Sequence, residues 1–201
     1  MQAPFLPWIG LALSIAGGIF TTVFQASPVK LIGSIFLYFG GSILLLNVSS
    51  AQTCAALLIC GIGVTVLLWT GNLNLNDTES ARPENRQNFI FRLLLALIFG
   101  VLAYTATERL RMWIPVRRTV LFTSLWIIML SLISLALDDV LLFRCVYLQN
   151  ICLAFTISYI YIENSILVFA CFAAINLLTA FGSAVLISGQ APETVSGTEE
   201  S

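Results

Sequence analysis

Histidine is absent from this chain of 201 residues. Its absence excludes histidine-ligated haem, histidine-based zinc sites, a Ser-His-Asp triad and an imidazole proton shuttle. The five cysteines fall within apolar runs and form no CxxC pair, so we interpret them as small packing residues. The sequence therefore predicts a protein that is not an enzyme and has no metal or cofactor.

Charged residues are also scarce, at 9% of the chain, whereas a soluble domain carries about a quarter. Hydrophobic residues make up 59% and form long unbroken runs, which is typical of membrane spans. The formal net charge is -1, so there is no basic field to attract nucleic acid. We expect an all-α polytopic membrane protein whose main partner is the lipid bilayer.

The apolar runs predict seven transmembrane helices, because about 20 helical residues cross a hydrocarbon core of roughly 30 Å. The expected spans are residues 5–24, 29–48, 51–70, 89–107, 119–137, 140–162 and 164–188. Lys30 then marks a water boundary. Gly17 in the first span, and Gly33 and Gly40 in the second, predict close helix packing.

A polar segment divides the chain at residues 71–88. It combines asparagines, a proline and charges of both signs, which predicts a flexible exposed loop. The expected organisation is a three-span half at 1–70, this loop, a four-span half at 89–188, and a disordered acidic tail at 189–201.

Four arginines lie between the fourth and fifth predicted spans. Arg109, Arg111, Arg117 and Arg118 are interleaved with Trp113 and apolar residues. The pattern suits a short interfacial segment on anionic headgroups, and ordinary anchors flanking two spans are the simpler interpretation. Lysine and arginine counts on the two sides of the predicted membrane are level, so the orientation stays open, and the density of this cluster favours a cytoplasmic N-terminus. The expected location is a bacterial inner membrane.

Polar side chains also occur inside the sixth and seventh predicted spans. Arg144 lies about one turn into the sixth, where it is expected to pair with Asp139 or to extend to the interface. Gln149 and Asn150 lie near the middle of the sixth span and Asn176 near the middle of the seventh. Hydrogen bonds across this hairpin, worth roughly 0.6–2 kcal/mol, are one interpretation, and a polar path is the other.

Residues 119–188 show a particular order of features. A first span is followed by a charged turn, then by LLFRCVYLQNI at 141–151, and then by an alanine-rich span containing FAAINLL at 172–178. In this order the stretch resembles subunit K of respiratory complex I and its relatives in multisubunit cation/proton antiporters. That family carries a glutamate in its second span and often another in its third. Gln149-Asn150 and Ile175-Asn176 stand near those positions here.

The resemblance implies an accessory or scaffold subunit that has lost proton transfer. The whole chain also looks like bacterial multi-pass membrane proteins built as three spans, a polar loop and four spans. The preferred hypothesis is thus a non-catalytic subunit of a larger complex, of the complex I or antiporter type. The alternative is a small solute or ion transporter or channel, whose path is lined by Arg144, Gln149, Asn150 and Asn176.

Overall fold

The computed structural model describes residues 5–46, 48–73 and 86–189, with the backbone alone at Arg86. Within these ranges the chain forms seven α-helices and no strand, and every helix is long and apolar enough to cross a membrane. The predicted all-α bundle of transmembrane helices is therefore confirmed. The helices are α1 (Leu6–Val23), α2 (Ser27–Leu45), α3 (Ala51–Leu73), α4 (Arg86–Leu110), α5 (Arg118–Leu137), α6 (Leu141–Ile162) and α7 (Ile166–Ser188).

The predicted loop at 71–88 is too long at both ends. α3 continues to Leu73, and α4 begins at Arg86. Tertiary packing accounts for the extension of α3, since a Cβ on Gly71 would lie 3.1 Å from the Cα of Ala184 in α7. The rest of that loop, at 74–85, and the predicted tail from residue 190 onward lie outside the described residues.

Six of the helices form two rows that pack face to face. One row holds α1, α2 and α3, the other holds α5, α6 and α7, and α4 packs at the edge against α5 and α1. Across the rows, α1 contacts α5, α2 contacts α6, and α3 contacts α7. The predicted segments 1–70 and 89–188 thus contact each other along the whole of both rows.

Successive helices cross the bundle in alternate directions, so the helix termini fall into two groups. We call the end where α1 and α5 begin and α4 terminates the arginine end, because residues 109–118 lie there. The opposite end, where α2, α4 and α6 begin, is the aspartate end, because it holds Asp138. The rings of Phe24 and Phe89, with centroids 5.8 Å apart, join α1 and α4 near the aspartate end.

Small residues bring α1 and α2 into close contact along their length. A Cβ on Gly17 would lie 2.7 Å from the carbonyl oxygen of Gly33, and one on Gly10 would lie 3.0 Å from that of Gly40. In lipid, van der Waals packing at such interfaces drives helix association. These contacts agree with the close packing predicted from the glycines of the first two spans.

We expect Gly17→Ala to lower the thermal unfolding midpoint of the protein in detergent. The added methyl group would force α1 away from α2, and overpacking of this kind costs about 1–3 kcal/mol. Gly182→Ala is the matched control, because a Cβ there would meet no atom within 4 Å. Equal midpoints for the two variants would contradict the close α1–α2 contact.

Candidate functional site

Charged side chains from separate parts of the chain converge near the aspartate end. Lys30 lies in the first turn of α2, Arg92 in the second turn of α4, and Asp138 directly after α5. Tyr147 of α6 completes the group. All four are buried, and Lys30 and Tyr147 have no exposed surface. We call these four residues the ionic cluster.

The carboxylate of Asp138 is the common acceptor of the ionic cluster. Arg92 binds both of its oxygens, with Nη1 3.1 Å from Oδ2 and Nη2 in contact with Oδ1. Lys30 Nζ lies 3.4 Å from Oδ2, and the Tyr147 hydroxyl donates to the same oxygen while accepting from Lys30. Both cations and the phenol are thereby positioned by one side chain.

The last turn of α1 supplies further acceptors to the ionic cluster. Lys30 Nζ donates to the carbonyl of Thr21 at 2.9 Å, and Arg92 Nη1 donates to that of Thr22 at 3.1 Å. A helix leaves its last carbonyls without intrahelical partners, and their partial negative charge favours cations. The ionic cluster therefore joins α1, α2, α4 and α6 at the point where α5 ends.

Two cations and one carboxylate leave one excess positive charge in the ionic cluster. The α1 carbonyls and the ring of Phe143, whose centroid lies 4.3 Å from Lys30 Nζ, stabilise this charge. Burial raises the pKa of the Asp138 carboxyl, but the hydrogen bond from Arg92 and the charge of Lys30 outweigh burial and lower the pKa below its ordinary value. Asp138 therefore stays ionised at neutral pH.

The ionic cluster was not predicted from the sequence. The sequence predicts Lys30 at a water boundary, but its side chain is fully buried. A sequence signal did exist, since the predicted spans place Lys30, Arg92 and Asp138 on the same side of the membrane, and a carboxylate and two cations at one depth can pair. That signal does not show which of the neighbouring charges meet.

A second polar group lies near the middle of the bundle, where α2, α6 and α7 meet. Gln149 Nε2 donates to Asn176 Oδ1 at 2.8 Å and to the Tyr38 hydroxyl at 3.0 Å. Gln149 Oε1 accepts from Thr179 at 3.0 Å, and Asn176 Nδ2 donates to Thr156 at 2.9 Å. We call these five residues the amide cluster. Four of them, Tyr38, Gln149, Thr156 and Asn176, are buried, and the five satisfy one another's hydrogen bonds inside the bundle.

The four residues predicted to line a path or join helices do not form one group. Gln149 and Asn176 come together across the α6–α7 hairpin. Asn150 instead faces α2, where its Oδ1 accepts from Ser34 at 3.4 Å, and its Nδ2 has no partner among the residues described. Arg144 is half exposed and pairs with Asp139 at 3.0 Å, away from the amide cluster. Whether any of them lines a path stays a prediction.

The five residues predicted as interfacial anchors lie at the arginine end. Arg109, Arg111, Trp113, Arg117 and Arg118 are all exposed, and Trp113 has 86% of its surface accessible. The α-helix ends at Leu110, before most of this segment. Such a position suits the headgroup region, where aromatic and basic side chains both find partners.

No group of three or more histidine, cysteine, aspartate or glutamate side chains that could hold a metal ion occurs in the part of the chain that the structure describes. No family model, curated protein or solved structure matches the chain. The resemblance of residues 119–188 to subunit K accordingly stays a prediction.

We expect Asp138→Asn to destabilise the protein strongly, because Lys30 and Arg92 would remain buried without a counter-charge. Breaking a buried pair in this way costs about 3–5 kcal/mol. Asp139→Asn is the matched control, because that side chain is 90% exposed and pairs with an exposed arginine. Thermal unfolding in detergent would compare the two variants.

Similar losses of thermal stability for Asp138→Asn and Asp139→Asn would show that the ionic cluster contributes little to the stability of the fold. The pH dependence of the wild-type protein's stability gives a second check. Since the folded-state pKa of Asp138 is lowered, this carboxylate contributes to the free energy of unfolding at neutral pH. That contribution is lost as the pH falls below the ordinary carboxyl range.

We expect Gln149→Leu and Asn176→Leu each to cost about 1–3 kcal/mol, because each removes hydrogen bonds from polar groups that stay buried. The double variant should lose less unfolding free energy than the sum of the losses in the two single variants, since both polar groups are then removed. A double-mutant cycle on unfolding in mixed micelles measures the difference. Strict additivity would mean that the two amides do not stabilise the bundle through each other.

Proposed function

We propose that this chain is a non-catalytic integral membrane protein that serves as an accessory or scaffold subunit of a larger membrane complex, of the complex I or antiporter type. The observation that carries the proposal is the outward face of α7. This helix packs on α3 and α6 along one side, through Phe169, Asn176, Ala180, Ser183 and Ile187. Its other side is left exposed.

The outward face of α7 combines small and large apolar residues. Ala170, Ala174 and Gly182 are exposed there, and a Cβ on Gly182 would meet no atom within 4 Å. Leu178 and Phe181 are 70% and 60% exposed beside them. Small residues let transmembrane helices approach closely, and the buried glycines of α1 and α2 serve that purpose inside this protein. The α7 face therefore fits a helix of another subunit.

The interior of the bundle supports the same proposal. The amide cluster is satisfied by contacts between helices, and the ionic cluster is satisfied by contacts among its own members and with the last carbonyls of α1. Their polar groups therefore need no substrate to complete them. The region 119–188, which resembles a subunit of larger assemblies, includes α7 and so contains the exposed face. In this proposal the protein lies in a bacterial inner membrane with a cytoplasmic N-terminus.

We expect the tagged chain, purified from its native membrane in mild detergent, to carry integral subunits of a redox or antiporter complex in stoichiometric amounts. Ala174→Phe should remove these partners, because the ring would block close helix approach. Leu97→Phe is the matched control on the outer face of α4, where Leu97 is 61% exposed. Mass spectrometry of the co-purified proteins and the thermal midpoint of each variant are the measurements.

The proposal fails if the chain is recovered alone as a monomer or homodimer. It also fails if Ala174→Phe and Leu97→Phe retain the same partners. An unchanged thermal midpoint for Ala174→Phe separates loss of a partner from loss of the fold.

A transporter or channel is the second candidate, and one observation favours it. Lys30, Ser34 and Tyr38 follow one face of α2 at four-residue spacing, and Ser34 contacts Asn150 of α6. This polar line runs from the aspartate end to the middle of the bundle. Proton or solute flux into liposomes that hold the purified chain, blocked by Asn150→Leu, would favour this function over the first.

A further inference from the structure

Two adjoining clefts open at the arginine end. The first, of about 370 Å³, is lined by Arg111, Arg117 and Arg118 together with Trp8 and Thr119, and we call it the arginine cleft. The second, of about 250 Å³, shares Trp8, Arg118 and Thr119 with it. Its further lining residues are Leu11, Tyr104, Thr107 and Phe122, and because most of its surface is apolar we call it the apolar cleft.

The arginine cleft has an excess of positive charge. Arg118 is paired with Glu108 at 2.7 Å and lies over the ring of Tyr104 at 5.0 Å. Arg111 and Arg117 are exposed and form no ion pair within the described part of the chain. Three arginines less one glutamate leave two positive charges, and the phosphodiester of an anionic lipid, with charge -1, would neutralise one of them through charge-assisted hydrogen bonds.

Two further features of the arginine cleft suit an anion. α5 begins at Arg118, and no side chain caps its first amide groups. Free amides at a helix N-terminus bind anions. The hydroxyl of Thr119, on the wall shared by both clefts, is buried and has no hydrogen-bond partner among the described residues.

The apolar cleft continues from the arginine cleft toward the middle of the bundle. Leu11 of α1, Tyr104 of α4 and Phe122 of α5 line it, and each lies about one turn or more inside its helix from the arginine end. Trp8 stands at the boundary between the clefts and is 64% exposed. Polar and apolar surfaces thus follow one another in the order in which a phospholipid presents its headgroup and its acyl chain.

We propose that these clefts form a binding site for one anionic phospholipid. Its phosphate binds Arg111, Arg117 and the start of α5, and an acyl chain lies against Trp8, Leu11 and Phe122. A soluble phosphate leaves the apolar cleft unused. A zwitterionic lipid brings a cation together with its phosphate and so has no net negative charge to offset the excess positive charge of the arginine cleft. The proposal does not depend on the function proposed above.

The full-length protein in lipid nanodiscs provides the test, with phosphatidylglycerol titrated into phosphatidylcholine and lipid binding followed by native mass spectrometry. We expect Arg111→Gln with Arg117→Gln to weaken binding of phosphatidylglycerol about thirtyfold, since each basic residue near a membrane contributes roughly a factor of five. Arg144→Gln is the matched control, because it removes an exposed arginine at the aspartate end and should leave affinity unchanged.

Leu11→Trp tests the acyl-chain half of the site. Filling the apolar cleft should weaken phosphatidylglycerol binding, and inorganic phosphate should compete poorly with the lipid in the wild-type protein. If the double arginine variant does not fold in phosphatidylcholine nanodiscs, Arg111→Gln alone should weaken binding about fivefold.

Three results would overturn the proposal. The first is equal affinity of the wild-type protein for the two lipids. The second is equal weakening by Arg144→Gln and by the arginine-cleft variants. The third is displacement of phosphatidylglycerol by inorganic phosphate at comparable concentration, which would assign the cleft to a soluble anion.

Discussion

The ion pairs of Asp138 are the constraint on which the rest of this bundle depends. A cation buried among transmembrane helices is costly unless an anion neutralises it, and here one carboxylate neutralises Arg92 and partly neutralises Lys30. The same carboxylate accepts from Tyr147, so it determines the positions of α2, α4 and α6 relative to the end of α5. α4 lies at the edge of the bundle with most of its surface exposed, and Arg92 is one of its few buried residues, together with Ala96, Ala103 and Thr107.

Other contacts hold the bundle together at other depths. Glycines join α1 to α2 by close packing, and the amide cluster joins α2, α6 and α7 near the middle. In water such amides would exchange one hydrogen-bond partner for another, whereas within lipid an unpaired amide has no alternative. The polar residues of the two interior clusters are therefore satisfied by contacts between helices, and the surfaces that could bind a partner lie on the outside of the bundle.

Two parts of that surface differ from ordinary lipid-facing helix. The outward face of α7 has small residues where a bulky apolar side chain would satisfy the bilayer equally well. The arginine end has excess positive charge beside an apolar cleft. A subunit embedded between other helices and anionic lipids needs both kinds of surface, although each is proposed from separate residues and fails by a separate experiment.

The sequence by itself determined the number of helices, their approximate ends and the depth of Gln149 and Asn176, because the length of an apolar run sets where a helix meets water. It also indicated the α6–α7 hydrogen bonds, since consecutive helices are neighbours. Only the tertiary structure decided that Lys30 and Arg92 meet Asp138, which is 108 and 46 residues away along the chain. Those contacts depend on the order and rotation of helices that are distant in sequence. Asp138 and Asp139 make the difference plain: they are identical neighbours, yet one side chain is 7% exposed and the other 90%, because the turn after α5 directs only the first into the bundle.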